Sequence, residues 1–270
     1  MDTTTPQGTP SESPMRAPEN ETTLATLAMP MGESVLHMQV QGKAVYGILS
    51  RSRAMTEQSD FFRMQFRGYA RNEGPHWERF AGEDASFHNL HNCAWARVDH
   101  PSRSVTFGPK GGIAVSDMMS GSGLDIFLFA GVISWVKNVY PDFSVSPGMI
   151  TLPNTATEDD RRRKSAFYAR QGLEFEWKDE AQRSGLYFKD KVSKLIGVCD
   201  IDTIAEFGGE AMLQALAKQD EERYALQQRV ATMETQTRSF HAALLKERST
   251  TQVLAGMLVL LLLLVIWVVI

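Results

Sequence analysis

Apolar and polar positions in the middle of the chain switch between two periods. Residues 43–50 (KAVYGILS), 61–69 (FFRMQFRGY) and 93–98 (CAWARV) carry the β-branched and aromatic content and partial alternation of strands. Residues 112–116 (GIAVS) read as another strand, which runs into the Gly-rich stretch 118–123 (MMSGSG). Residues 124–139 (LDIFLFAGVISWVKNV) then show helical spacing, ended by Pro141. A strand broken by Pro147-Gly148 is predicted over 143–152, and a short helix over 158–171. Gly172 stops that helix as a left-handed cap would. Strands over 174–177 and 185–195 close the series. The order strand, Gly loop, helix, strand, helix, strand, strand predicts an α/β fold, a mixed central sheet with flanking helices.

The pattern changes after residue 207. Residues 207–248 lack proline and are rich in Ala, Leu, Gln, Glu, Lys and Arg, all strong helix formers. Leu226, Val230, Met233, Thr237, Phe240 and Leu244 follow a 4-3-4-3-4 spacing, a heptad seam. Backwards, the same register meets Arg223 and Gln219 before Leu216 and Met212, so the seam is good for about three heptads, the lower limit for a coiled coil. It predicts either a parallel coiled coil pairing protomers through residues 212–247 or a single amphipathic stalk packed on the domain.

Residues 253–270 contain no charged or strongly polar side chain, and with 250–252 they reach the length of a roughly 30 Å hydrocarbon core. The expectation is one transmembrane helix over residues 250–270, a C-terminal tail anchor in contact with membrane lipid. Lys246 and Arg248 precede the span, which places the N-terminal domain on the cytoplasmic side of a single-pass membrane protein, as in a bacterial inner membrane. At the other end, residues 1–30 are rich in Thr, Pro, Ser and Glu and lack a secretory h-region, so a disordered leader is expected. The expected organisation is a leader (1–30), an α/β domain (31–200), a helical stalk (203–249) and the anchor (250–270).

Composition narrows the function classes. A net charge of −4 argues against a general nucleic-acid binder. Two cysteines, Cys93 and Cys199, do not suggest a disulfide framework. His88, His91 and Cys93 bring three metal-ligand types together, but a closed zinc site needs a fourth ligand and no partner pair is evident, so no metal is assigned. Arg161–Lys164 follows three acids and reads as a solvated helix face.

The Gly121-Ser-Gly123 loop is the one feature that carries chemistry. Glycines before a helix let the backbone approach a phosphate, and the first-turn amides point at it. The loop lacks the Lys-Ser/Thr of a nucleotide P-loop and the third glycine of a dinucleotide fold, so alone it reads more readily as a plain tight turn.

In context, residues 112–195 resemble the Gcn5-related N-acetyltransferase (GNAT) superfamily. Residues 115–124 (VSDMMSGSGL) resemble the family's pyrophosphate loop, Arg/Gln-x-x-Gly-x-Gly/Ala, with Gly121 and Gly123 matching. Residues 161–175 (RRRKSAFYARQGLEF) resemble its Phe-Tyr-x-x-x-Gly-Phe helix, with Phe167, Tyr168 and Gly172 matching and Leu173 in place of Phe. The resemblance implies acetyl-CoA as co-substrate. Its pyrophosphate would lie on the backbone amides of Met119, Ser120, Gly121, Ser122, Gly123 and Leu124. Tyr168 would protonate the departing thiolate. A small-molecule or protein amine would be the acceptor, and His91, Glu83 or Asp84 are possible bases. Within this resemblance the arginines of 161–163 are candidates for the cofactor's 3′-phosphate. Met118 stands at the Arg/Gln position and Arg161 where many members carry Asn, which leaves a second expectation: a GNAT-fold adaptor or CoA sensor that has lost catalysis.

Overall fold

The computed structural model describes residues 21–74, 76–80, 91–109, 111–199 and 202–269. The chain divides into two compact units, Met1–Gly209 and Glu210–Ile270.

The first unit is mixed α/β. It opens with helix α1 (Glu21–Leu27) and three long strands, β1 (Met29–Val40), β2 (Lys43–Met55) and β3 (Ser59–Glu73), followed by β4 (His76–Arg79), β5 (Cys93–Asp99) and β6 (Ser104–Gly108). Helix α2 (Leu124–Val139) crosses to β7 (Ser144–Thr151), and helix α3 (Glu158–Arg170) leads to β8 (Glu174–Trp177), β9 (Ser184–Lys189) and β10 (Ile204–Phe207). The sheet order is β10-β1-β2-β3-β5-β6-β7-β9-β8, with β4 paired to β3 off this path. Every pairing is antiparallel except β6 with β7, the two strands joined through α2. A parallel pair needs a crossover, and α2 supplies it.

Alternation places Leu36, Met38, Val45, Leu49, Met64 and Phe66 on the covered sheet face, in one core with Leu128, Val132 and Ile133 of α2. Phe62 stacks on Trp135 of that helix at 4.8 Å between ring centroids. On the other face Leu24 of α1 is fully buried with Ala54, Phe61 and Trp95. That contact corrects the expected leader: residues 21–30 are ordered as α1 and the start of β1, because Leu24 has apolar partners waiting on the sheet. Residues 1–20 lie outside the described residues.

Two further expectations change. Residues 112–116 are no strand, since Gly111 and Gly112 turn the chain at φ +92° and +106° and only Ala114 bridges, to Cys93. The strand that feeds the Gly loop is β6, ending at Gly108. Residues 203–208, expected to begin the stalk, include β10, which pairs with β1 from Val35↔Phe207 to Met38↔Ile204.

The second unit is helix α4 (Gly209–Val269), which continues through the expected stalk and tail. Its seam residues Leu226, Val230, Met233, Phe240 and Leu244 are 55–68% exposed. Among the described residues no helix is long and apolar enough to cross a membrane. The single-pass anchor over 250–270, and the membrane localisation drawn from it, are therefore corrected: the fold is a ten-stranded mixed α/β unit and a long C-terminal helix.

Candidate functional site

Strands β6 and β7 pair at only two positions, Ser104↔Ser144 and Val105↔Val145, and then part. Beyond Val145 the β7 register shifts at Ser146-Pro147, and the strand continues against β9 alone. The Pro147-Gly148 break read in the sequence has a packing reason. A Cβ on Gly148 would overlap the ring of Tyr187, which lies across β7 at that point.

Two tyrosines close the space where the strands part. Tyr187 of β9 donates its hydroxyl to Phe107 O at 3.2 Å, and Tyr168 of α3 donates to Gly111 O at 2.6 Å. The two rings stack at 4.9 Å and 7°, with Phe175 against the other face of Tyr168 at 5.6 Å. Both side chains are fully buried. Burial pushes each hydroxyl well above the ordinary tyrosine value, and the neighbouring Tyr187 pushes Tyr168 further. Gly111 fits because its missing Cβ leaves room for the Tyr168 hydroxyl and Ile150.

The Gly loop is held by its own hydrogen bonds. Ser116 caps back onto Asn92 Oδ1 through its amide (2.9 Å) and hydroxyl (3.1 Å). Of the amides assigned to pyrophosphate, four are engaged within the loop. Met119 N donates to Ser116 O, Ser120 N to Asp117 O, Ser122 N to Met119 O, and Leu124 N to Ser122 Oγ. Among the described residues, the amides of Gly121 and Gly123, and next in the first turn of α2 those of Asp125 and Ile126, have no acceptor. Gly121 and Gly123 take φ +76° and +81°, the left-handed conformation their spacing implies. Met118 and Met119 line a small cavity with Gln41, Lys43, Arg71 and Phe80.

A cleft of about 900 Å³ lies between the first turn of α2, the turn after β7 and one face of α3. The α3 face is set by helical spacing: Asp160, Lys164, Phe167 and Gln171 recur at four, three and four residues, with Arg163 and Arg170 at its edge. A capping box starts the helix. Thr157 Oγ1 accepts from Asp160 N at 3.2 Å, and Asp160 Oδ2 accepts from Thr157 N at 2.9 Å. The Thr157 amide and hydroxyl hold the Asp160 carboxyl below its usual range. Gly172 follows at φ +82°.

Of the residues read from sequence, Gly121 and Gly123 lead into the turn that forms one wall of this cleft. Tyr168 does not line it; Lys164, Phe167 and Gln171 on the same helix do. The Lys164 ammonium sits 5.8 and 5.7 Å from the ring centroids of Phe167 and Tyr168. Burial lowers its proton affinity, and Asp125 across the cleft partly restores it. The arginines sort differently. Arg161 donates to Ala181 O, Arg162 pairs with Glu158 and Arg163 with Asp160. The candidate bases Glu83 and Asp84, and His88, lie outside the described residues, and His91 is not in the cleft. Cys93 is buried in β5, and burial pushes its thiol up. No known protein family, curated protein or solved structure matches this chain.

Proposed function

We propose that the first unit binds acetyl-CoA in the cleft between α2 and α3 and transfers the acetyl group to an amine, as a GNAT-like N-acetyltransferase. The observation that carries this reading is the parting of parallel strands β6 and β7 after two paired positions, flanked by the two helices that line the cleft. Open α/β sheets take ligands beyond the carboxyl ends of such strands. The free amides at the start of α2 suit the pyrophosphate, and the apolar wall of Ile113, Leu152 and Phe167 suits the pantetheine arm. In the reaction an amine nitrogen attacks the thioester carbonyl carbon, the carbon–sulfur bond breaks, the nitrogen gives up a proton to solvent, and the departing thiolate takes one. Tyr168 is the candidate donor of that proton, although burial raises its pKa and so weakens it as an acid, and its bond to Gly111 O must exchange for the thiolate to receive it.

A second reading, a CoA-binding adaptor without turnover, is favoured by that same bond, which commits the Tyr168 hydroxyl to the backbone. Free thiol released from acetyl-CoA by the full chain, with and without a panel of primary amines, separates the two. Amine-dependent thiol release supports transfer. Binding of acetyl-CoA with no release under any amine leaves the adaptor.

For the second unit we propose that two copies pair in parallel through residues 212–247. In the heptad register Arg229 falls at g and Glu234 at the e position that a parallel partner places opposite it, which joins opposite charges across the seam twice.

A further inference from the structure

Two side chains in the cleft lack the partners their chemistry calls for. Lys164 is half-buried on the cleft wall, yet no carboxylate among the described residues forms an ion pair with it. Its neighbours Arg162 and Arg163 do have such partners, Glu158 at 2.6 Å and Asp160 at 3.1 Å. The opposing acid, Asp125, acts only through space. Gln171 is 1% exposed. Its Nε2 donates to Val198 O at 3.3 Å, which fixes the amide's orientation, and its Oε1 is buried with no donor among the described residues. A buried acceptor left unmade costs stability that an apolar residue would not, so its retention on a cavity wall points to a donor that arrives from outside.

We infer that Lys164 and Gln171 read the two polar ends of the cleft ligand, Lys164 pairing with a phosphate held at the first turn of α2 and Gln171 accepting an N–H from the arm that follows. This rests on the acetyl-CoA reading and deepens it. CoA joins a diphosphate to an arm with two amide N–H groups, so one molecule supplies both an anion for Lys164 and a donor for Gln171. Lys164 then supplies the side-chain cation that Met118, in the small cavity with Lys43 and Arg71, does not. The ammonium is placed for this: Asp125 and Ile126, whose amides have no acceptor among the described residues, line the same cleft, so a phosphate there can meet donors from both helices.

The test uses the full chain, with CoA and inorganic pyrophosphate as separate probes, by calorimetric titration. K164Q is expected to weaken both about tenfold, and Q171L to weaken CoA about fivefold while leaving pyrophosphate unchanged. Unchanged affinities in K164Q would overturn the phosphate role. Equal loss of both probes in Q171L would overturn the amide role. Pyrophosphate binding by wild type without CoA binding would instead remove the acetyl-CoA reading, and the role of Gln171 with it, while an effect of K164Q on pyrophosphate would still stand as anion recognition.

Discussion

The hydroxyl of Tyr168 and the carbonyl oxygen of Gly111 meet at 2.6 Å, and this one bond ties helix α3 to the turn that leaves β6. Tyr168 is thereby a structural residue whatever else it does. Its ring fills the space between Phe175 and Tyr187, and its hydroxyl satisfies a carbonyl. The Tyr168→Phe variant keeps the ring and orphans Gly111 O, so a destabilisation of about 1–2 kcal/mol is expected in urea unfolding. If Tyr168 also serves as the acid, thiol release falls while the acetyl-CoA-induced rise in melting temperature persists. Unchanged thiol release would remove it from the reaction.

A second polar tie holds the far end of α2. Asp60 is fully buried in β3, accepts from Arg53 Nη2 at 2.5 Å and Nε at 3.0 Å, and accepts from Tyr140 Oη at 2.7 Å. Removing the acid's charge leaves the Arg53 guanidinium short of its counter-ion. Asp60→Asn is expected to cost about 3 kcal/mol, at the lower end for breaking a buried pair because Arg53 is partly exposed. A loss under about 1 kcal/mol in denaturant unfolding would show that the three groups repack without the charge.

Tyr140 gives that tie a pH dependence. Burial, then the bond to Asp60, pushes its hydroxyl up to about 12, against an ordinary value near 10. Below pH 10 both folded and unfolded chains hold the proton and the contribution is complete. Between 10 and 12 the unfolded chain releases it first, so stability falls as pH rises. The buried Tyr168 and Tyr187, also shifted upward, steepen the fall. Unfolding measured from pH 9 to 12 should show this decline, and Tyr140→Phe should make it shallower. An equal slope in the variant would place the alkaline loss elsewhere.

The elements that were legible in the sequence are those whose period is set by one buried face. Helix α2 runs over the predicted residues because Leu128, Val132, Ile133 and Val136 recur at helical spacing under the sheet. Strand β8 and the Gly172 cap are where their residues imply. Strand β1 went unread although Leu36, Met38 and Val40 alternate in its second half; its first half, through Glu33, is exposed and shows no such pattern. Strand β6 went unread, while the β-branched Ile113 and Val115 drew the strand to a segment that two positive-φ glycines turn aside. At the site, glycine spacing marked the loop, but the hydrogen bonds that consume its amides follow from Ser116, Asn92 and Ser122 in three dimensions. Lys164 looked like part of a solvated basic run. Only the position of α3 against α2 turns it into the cleft while Arg162 faces water.

The long C-terminal helix makes a separate claim. Its exposed seam, with Met233 at 65% exposure, is the apolar surface that the proposed pairing would cover. Sedimentation of the full chain should show a dimer, and Met233→Lys, which puts a charge at the seam's centre, should shift it at least tenfold toward monomer. A monomeric wild-type chain would contradict the pairing.

The claim on which the rest depends is that the cleft between α2 and α3 takes acetyl-CoA, and a melting curve of the full chain with that ligand tests it most directly. At 100 times the dissociation constant a ligand adds about 2.7 kcal/mol. For a unit of this size each kcal/mol moves the midpoint about 2–4 °C. A rise of several degrees is therefore expected with acetyl-CoA, with ATP and NAD at equal concentration as controls for unspecific anion binding. A rise with all three alike, or with none, would contradict the assignment of the cleft.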